Sequence, residues 1–524
     1  MSEWPRIAVV GMLGLAAALW MTSGADAATL SAGPAGSSSW TVYHQDPAGT
    51  GVATSVTALN TSTRKWTSPT LDGQIYGEPL AYAGRVYVAT ENDTVYALSS
   101  ATGAVVWSAH LGTPVPSGSL ACGNIAPIVG ITGTPVIDPS RREIFVVADE
   151  MVNGSPAHVL VGLATASGRT EITRDVDPPG ADPASLLQRT GLALDDGRVV
   201  FGMGGNYGDC GSYRGRVEAA PETGATPRIF TVDAAPGESR GAVWMGGAAP
   251  VVDSSGHVWV TVGNGSVTSS SHAYDHSDSV LELSSTMRLL QFFAPRTWAA
   301  ENAQDVDMST APALLPDGQV IAAGKSRIVY LLDGAHLGGI GHQETALRSA
   351  CSNDIDGGSA VLGATVYLPC LSGVIAVRVT QSPPALRLLW SSVTGGGPPI
   401  IDAGLVWTIG HNGILYGLSP ATGTVRQQAS IGVPANHFPT PSVGDGLLLA
   451  PSARNVVAFG SGSGGAAPAS PLASASASPA SSQPAPSGGG GLAPGAIAGI
   501  VVAGLAVTGG AGWLLRRRRM TRDS

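Results

Sequence analysis

The feature that most constrains this chain is a unit of four short apolar runs between Glu78 and Gly112, EPLAYAGRVYVATENDTVYALSSATGAVVWSAHLG. PLAY, RVYVAT, TVYALS and VVWSAH are each bounded by Gly, Asn, Asp or Ser. Val, Tyr, Thr and Trp suit a pleated, half-buried surface, and the Gly and Asn between them permit tight turns. Runs this short fit strands rather than helices. The spacing predicts a four-stranded antiparallel unit of the length of one propeller blade. Such a unit cannot bury both faces alone, so it must stack on copies of itself.

The copies are present. The outer half of the unit, ALSSATGAVVW (Ala97 to Trp107), is echoed in GLATASGRTEI from Gly162, AAPETGATPRI from Ala219 and GLSPATGTVRQ from Gly417. The inner half recurs as TGTPVID, GGAAPVVD, STAPALL, GGPPIID and PTPSVGD. Repeats begin near Glu78, Thr132, Thr190, Gly246, Ser309, Gly358, Gly396 and Phe438. That spacing predicts an all-β, eight-bladed propeller, or seven blades if one degenerate repeat is discounted. The last repeat lacks an outer strand, and STRKWTSPTLDG (Ser62 to Gly73) reads as an outer strand lacking its inner ones. The N-terminal strand is therefore expected to complete the last blade and close the ring, which removes exposed sheet edges.

This repeat resembles that of the pyrroloquinoline quinone (PQQ) propeller family over about residues 40 to 460. The family signature is Ala-x-Asp-x-x-Thr-Gly-x-x-x-Trp. Ala97, Thr102, Gly103 and Trp107 match it, with Ser99 in place of the Asp. The resemblance implies the fold. It does not by itself imply chemistry, because the Trp motif is a dock between blades.

The ends of the chain read differently from its middle. Arg6, an apolar run from Ile7 to Met21 and Ala25-Asp26-Ala27 make residues 1–27 an expected export signal with a small-x-small cleavage site. Residues 28–460 are the propeller, and 461–491 are a Ser/Ala/Pro/Gly-rich linker that cannot form a core. Residues 492–515 are uncharged and long enough to cross a bilayer as one helix, and the basic tail 516–524 follows. The Arg516 to Arg519 run places that tail in the cytoplasm and the propeller outside, on a single-pass membrane tether. Outside the cell, four cysteines would form disulfides. Three pairings exist; Cys351–Cys370, which flank one inner strand, together with Cys122–Cys210 is the favoured one. The formal charge of −9 and only two lysines, Lys65 and Lys325, leave no basic patch for nucleic acid.

Three repeats between Thr190 and Asp333 carry long insertions, which on one face of a scaffold commonly build a site. Here the resemblance narrows to PQQ-dependent alcohol dehydrogenases. Thr190, Gly205, Asn206, Gly211, Arg214 and Gly215 lie on that family's third-repeat pattern, and its calcium-binding Glu falls at Asp209. Trp244 matches the Trp on whose face the quinone rests, and Asn264 matches the Asn calcium ligand. Asp305-Val306-Asp307 resembles Trp-Asp-Tyr-Asp without the Trp, which makes Asp305 the implied catalytic base and a third calcium ligand. Lys325 matches a Lys that contacts the quinone. The implied cofactor contacts are thus Trp244, Lys325, Thr190 and Arg214.

The logic of such a site is coherent. A flat indole supports a planar tricarboxylate, cations hold its edge, and calcium takes hard oxygens. Each residue also has a plainer role: Trp244 as a channel plug, Asn264 as a turn residue, Asp209 as loop surface, the two Asp residues as loop braces and Lys325 as an ion-pair partner. Three family features are absent: the adjacent Cys-Cys pair, the Arg that follows it and a covalent haem motif. GMGG at Gly202 precedes no helix and is no dinucleotide loop, and no GxSxG elbow occurs. SSSHAYDHSDS (Ser269 to Ser279) reads as a solvated Ser-rich insertion rather than a metal loop. Two functions stay open. The favoured one is a binding propeller for a protein or cell-envelope ligand, with a relic or altered quinone funnel. The other is a PQQ/calcium dehydrogenase acting on an alcohol or sugar. Convergence of Trp244, Asn264, Asp305 and Lys325 on one place would favour the second.

Overall fold

The computed structural model describes residues 39–53, 59–224 and 226–461. The expected export signal and membrane helix, the basic tail and all but the first residue of the linker lie outside the described residues. Among the described residues no helix is long and apolar enough to cross a membrane.

Among the described residues, eight sheets of at least four strands follow one another along the chain, all antiparallel except for one added parallel strand, Gly339–Ile340, on the fourth. The first blade uses Leu80–Tyr82, Arg85–Thr90, Thr94–Ser99 and Val105–His110, the four runs read from sequence. The inner strands of the remaining seven blades begin at Val136, Ala193, Val251, Ala313, Ala360, Ile400 and Ser442, each a few residues after the expected repeat start. Blade 8 has three strands of its own, and Leu59–Thr67 pairs antiparallel with Asn455–Ser461 as its outermost strand. The ring closes as the missing strand required.

Three indoles show what the repeat encodes. Trp66, Trp107 and Trp390, on the outer strands of blades 8, 1 and 6, donate Nε1–H to the carbonyls of Ser100, Thr165 and Pro420 on the next blade, at 2.8, 2.9 and 2.8 Å. Each ring lies over a turn glycine, Gly103, Gly168 or Gly423, at φ of 71°, 72° and 68°. A Cβ at any of the three would stand 2.5 or 2.6 Å from the indole. The Thr-Gly of the signature is therefore the seat on which the preceding blade's Trp rests.

The segment Trp40 to Ala53 runs inside the ring along the free edges of the innermost strands. Trp40 exchanges backbone hydrogen bonds with Ala81 of blade 1, and Thr41 accepts from Ile137 of blade 2. Pro47, Thr50 and Gly51 accept from Val252, Val361 and Ile401 of blades 4, 6 and 7. The inner edges are thereby satisfied with backbone instead of water.

Both expected disulfides form, Cys122–Cys210 and Cys351–Cys370, with Cα separations of 5.8 and 5.9 Å. The Ser-rich insertion differs from its sequence reading. Asp275, Ser277 and Asp278 are buried, and Tyr274 stacks on Phe292 at 5.1 Å. The aromatic ring, spaced among the serines, anchors the segment to the outer strand of blade 4.

Candidate funnel site

In a propeller the turn between a blade's second and third strands lies on the same face as the crossover to the next blade. That places Asp209, Asn264 and Lys325 (turns of blades 3, 4 and 5) beside Trp244, Asp305 and Asp307 (crossovers into blades 4 and 5). The side chains form one chain of contacts. Tyr213 donates to Asp209 Oδ1 at 2.5 Å, and Asn264 Nδ2 reaches Asp209 Oδ2 at 3.5 Å. The Asn264 backbone N–H donates to Asp307 Oδ1 at 2.7 Å. Lys325 pairs with Asp307 and lies 3.6 Å from Asp305. Its ammonium is 5.8 Å from the centre of the Trp244 ring, a cation–π contact. The indole is oriented by its own N–H, which donates to the Gly205 carbonyl at 3.0 Å.

Gly204 and Gly205 explain why that indole and Tyr213 fit. A Cβ on Gly204 would stand 2.3 Å from the Trp244 nitrogen, and one on Gly205 2.2 Å from the Tyr213 ring. The GMGG that binds no dinucleotide leaves room for two site rings instead.

The electrostatics are unbalanced. Three carboxylates face one ammonium. Burial raises the Asp305 pKa, Asp307 adds to that rise, Lys325 offsets part of it and Asp209 raises it further. Burial alone would lower the pKa of Lys325, but Asp307 and Asp305 together hold it above the usual lysine value. Asn264 is buried, and its Oδ1 accepts no hydrogen bond. An orphaned buried oxygen beside excess carboxylate is the arrangement a hard cation would complete.

The remaining sequence candidates stand apart from this chain of contacts. The Thr190 hydroxyl is buried and accepts from the Gly202 N–H at 2.9 Å, bracing two strands of blade 3. Arg214 is exposed and donates to the carbonyls of Ala234 and Ala235 at 3.4 and 3.2 Å. Asp305 is exposed, whereas its neighbour Asp307 is buried and is the hub that joins Asn264 to Lys325. Sequence reasoning also missed Arg189. Its guanidinium stands 5.8 Å from the Tyr76 ring and 5.5 Å from the Phe438 ring. These three precede the inner strands of blades 3, 1 and 8, so they meet near the axis. The one available signal was the placement of each just ahead of a repeat start.

Comparison with known proteins agrees with this architecture. A family model described as outer membrane protein assembly factor BamB matches residues 14–207. Among solved structures, quinohemoprotein alcohol dehydrogenase from Comamonas testosteroni is 16% identical with a TM-score of 0.61, over 83% of this chain and 82% of that one. The chain is a PQQ-repeat β-propeller. A europium-containing methanol dehydrogenase shares this propeller at 14% identity and a TM-score of 0.55, over 79% of this chain and 89% of that one. BamB from Moraxella catarrhalis does so at 15% and 0.51, over 76% of this chain and 99% of that one. No curated protein matches the chain. Identities this low speak for the shared fold, so the activity of this PQQ-repeat propeller has to be argued from its own site.

Proposed function

We propose that the funnel over blades 3 to 5 holds PQQ with calcium and serves the oxidation of an alcohol or sugar. The propeller is exported and held to the cell membrane by the C-terminal helix. The observation that carries this reading is the single contact chain through Trp244, Lys325, Asp305, Asp307, Asn264 and Asp209. Six chemistry-bearing residues from three blades meet there.

The chain's own groups divide the work. The Trp244 face carries a flat ring, and the Lys325 ammonium holds an anionic edge. Asn264 Oδ1 and the Asp209 carboxylate supply hard oxygens for the cation. Asp305, the exposed carboxylate of this chain of contacts, takes the proton of a substrate hydroxyl. PQQ, when bound, supplies the two-electron acceptor that no side chain provides.

A second reading has its own support: a binding propeller for a protein or cell-envelope ligand, with an altered funnel. Thr190 and Arg214 are committed elsewhere. Among the described residues, His, Cys, Asp and Glu ligand atoms gather in threes within 4.8 Å only at a group outside the funnel, so the three funnel carboxylates do not close on one point.

Equilibrium dialysis of PQQ against the full-length protein, with calcium or with chelator, separates the two. The cofactor reading expects calcium-dependent retention, weakened at least about tenfold by Asn264→Ala and by Lys325→Met, and dye-coupled oxidation of an alcohol. Equal PQQ loss with and without calcium would remove the redox reading and leave the binding propeller.

A further inference from the structure

The geometry points to a second, independent metal site on the opposite face of blade 4, made by Asp253, His257 and Glu282 and suited to a zinc-class divalent ion. It does not rest on the funnel reading.

Asp253 and His257 sit on the turn between the first two strands of blade 4, Val251–Val252 and Val258–Val262. Glu282 lies near the end of the third strand, Ser279–Leu283, in register with Trp259. Both positions face away from the turns that carry Asn264 and Lys325. One ligand atom from each residue lies within 4.8 Å of the others. His257 Nδ1 is 2.6 Å from Glu282 Oε1 and 3.8 Å from Asp253 Oδ2.

What separates this group from a chance cluster is the shell that fixes it. Asp253 Oδ1 accepts backbone N–H groups from Ser255 and His257 at 2.7 and 3.0 Å, and Oδ2 accepts from Trp259 Nε1 at 2.9 Å. Glu282 Oε2 accepts from Gln291 Nε2 at 2.5 Å, and Gln291 in turn accepts from the Leu337 N–H at 2.8 Å. Each carboxylate is thus oriented by a partner outside the trio, as ligating carboxylates commonly are. Glu282 is left with Oε1 turned to the imidazole.

The chemistry selects the ion. One imidazole nitrogen and two carboxylates are a mixed set that suits zinc better than calcium, which prefers oxygens alone. The imidazole must present Nδ1 without its proton. A neutral ring does so by keeping its one proton on Nε2, and a charged ring releases one proton as the ion binds. Three protein ligands, with the imidazole about a third exposed, leave a coordination position open, as in zinc sites that bind a further ligand.

The test uses the full chain freed of metal, titrated with zinc by calorimetry and with cobalt by visible absorption. One equivalent of zinc and a tetrahedral-type cobalt spectrum are expected. His257→Ala and Glu282→Gln should each remove the cobalt spectrum and weaken zinc at least about 100-fold. Trp259→Phe, which removes only the donor to Asp253, should weaken it about tenfold. His272→Ala, an exposed histidine of the Ser-rich insertion, should bind as the unaltered chain does. A cobalt spectrum that survives in His257→Ala, or no zinc uptake by the unaltered chain, overturns the assignment. Should His257→Ala fail to fold, Glu282→Gln carries the same decision, because it keeps the hydrogen-bonding shape and removes one charge.

Discussion

Two neighbouring seams of the ring are built on opposite principles. Between blades 1 and 2, Trp107 lies over Gly168 and donates to Thr165, and the seam is indole on glycine. Between blades 2 and 3 no tryptophan is offered, since the outer strand of blade 2 reads TEITRD. Buried charge takes its place. His158 stands between Asp149 at 3.1 Å and Asp177 at 2.9 Å. Arg216 of blade 3 reaches Asp177 at 3.4 Å and Glu218 at 3.8 Å. The first seam is written in the repeat, and its indole bond involves no ionisable group. The second is local to one pair of blades and depends on which groups hold protons. The funnel site begins on blade 3, on the far side of the ionic seam, and the Cys122–Cys210 disulfide joins the blade 1–2 connection to the blade 3 insertion.

The largest contrast comes from removing one partner on the ionic side. His158→Ala would leave Asp149 buried without its cation, while Asp177 would keep only Arg216 at 3.4 Å. Breaking a buried pair in this way costs about 3–5 kcal/mol. Urea denaturation should show that loss, while Glu218→Gln, which removes a charge that Arg216 only partly balances, should cost far less or stabilise. Equal losses from both variants would mean that the seam is held by packing and not by charge.

The indole seam should fail on bulk instead. Gly168→Val places a β-branched side chain at φ 72° with its Cβ 2.6 Å from Trp107. Left-handed backbone costs about 1–2 kcal/mol and overpacking about 1–3, so a total of about 3 is expected. The double variant with Trp107→Ala should recover part of the loss, because the clash disappears with the ring. Full additivity of the two substitutions would show that the ring and the glycine are not in contact.

This contrast also explains what could be read from the chain before its structure. Blades were legible because each repeats the same strands and because Trp107 needs a Gly to sit on. The closing strand was legible because Trp66 lacked inner strands and the last repeat lacked an outer one. The channel segment from Trp40 to Ala53 was not, since it pairs through backbone atoms that carry no side-chain signature. At the funnel, residue type and order pointed to Trp244, Asn264 and Lys325, which lie in one chain of contacts. They could not tell that Asp307 rather than Asp305 is the buried hub, because the two differ by one residue on an irregular crossover with no period. Arg214 and Thr190 sat on a family pattern, and the structure spends both on backbone partners. The Ser-rich insertion misled because its polar composition hid the anchoring of Tyr274 on Phe292.

The smallest expected effect concerns pH, and it separates the seams most cleanly. Burial raises Glu218 to about 8 against the partial relief from Arg216, and raises Asp149 to about 6 despite His158. His158, which burial alone would lower, is raised by Asp149 and Asp177. All three groups bind protons more tightly folded than unfolded. Their contribution is complete below the unfolded pKa values and is lost as pH rises through the folded ones. Asp177 has the opposite sign. Burial would raise it, but the bonds from His158 lower it, so its contribution is present above the ordinary carboxylate range and lost in strong acid. Stability at the blade 2–3 seam should therefore peak near pH 4 and fall by on the order of 2 kcal/mol towards pH 8.5. Amide exchange read seam by seam tests this. Protection of Arg216 to Pro221 should decline over that range more steeply than protection of Val105 to His110, because the bond from Trp107 to the Thr165 carbonyl carries no group that titrates there. Glu218→Gln should flatten the decline above pH 6. Parallel loss at both seams would show that pH acts on the whole ring, and the distinction between the two kinds of seam would then carry no energetic meaning.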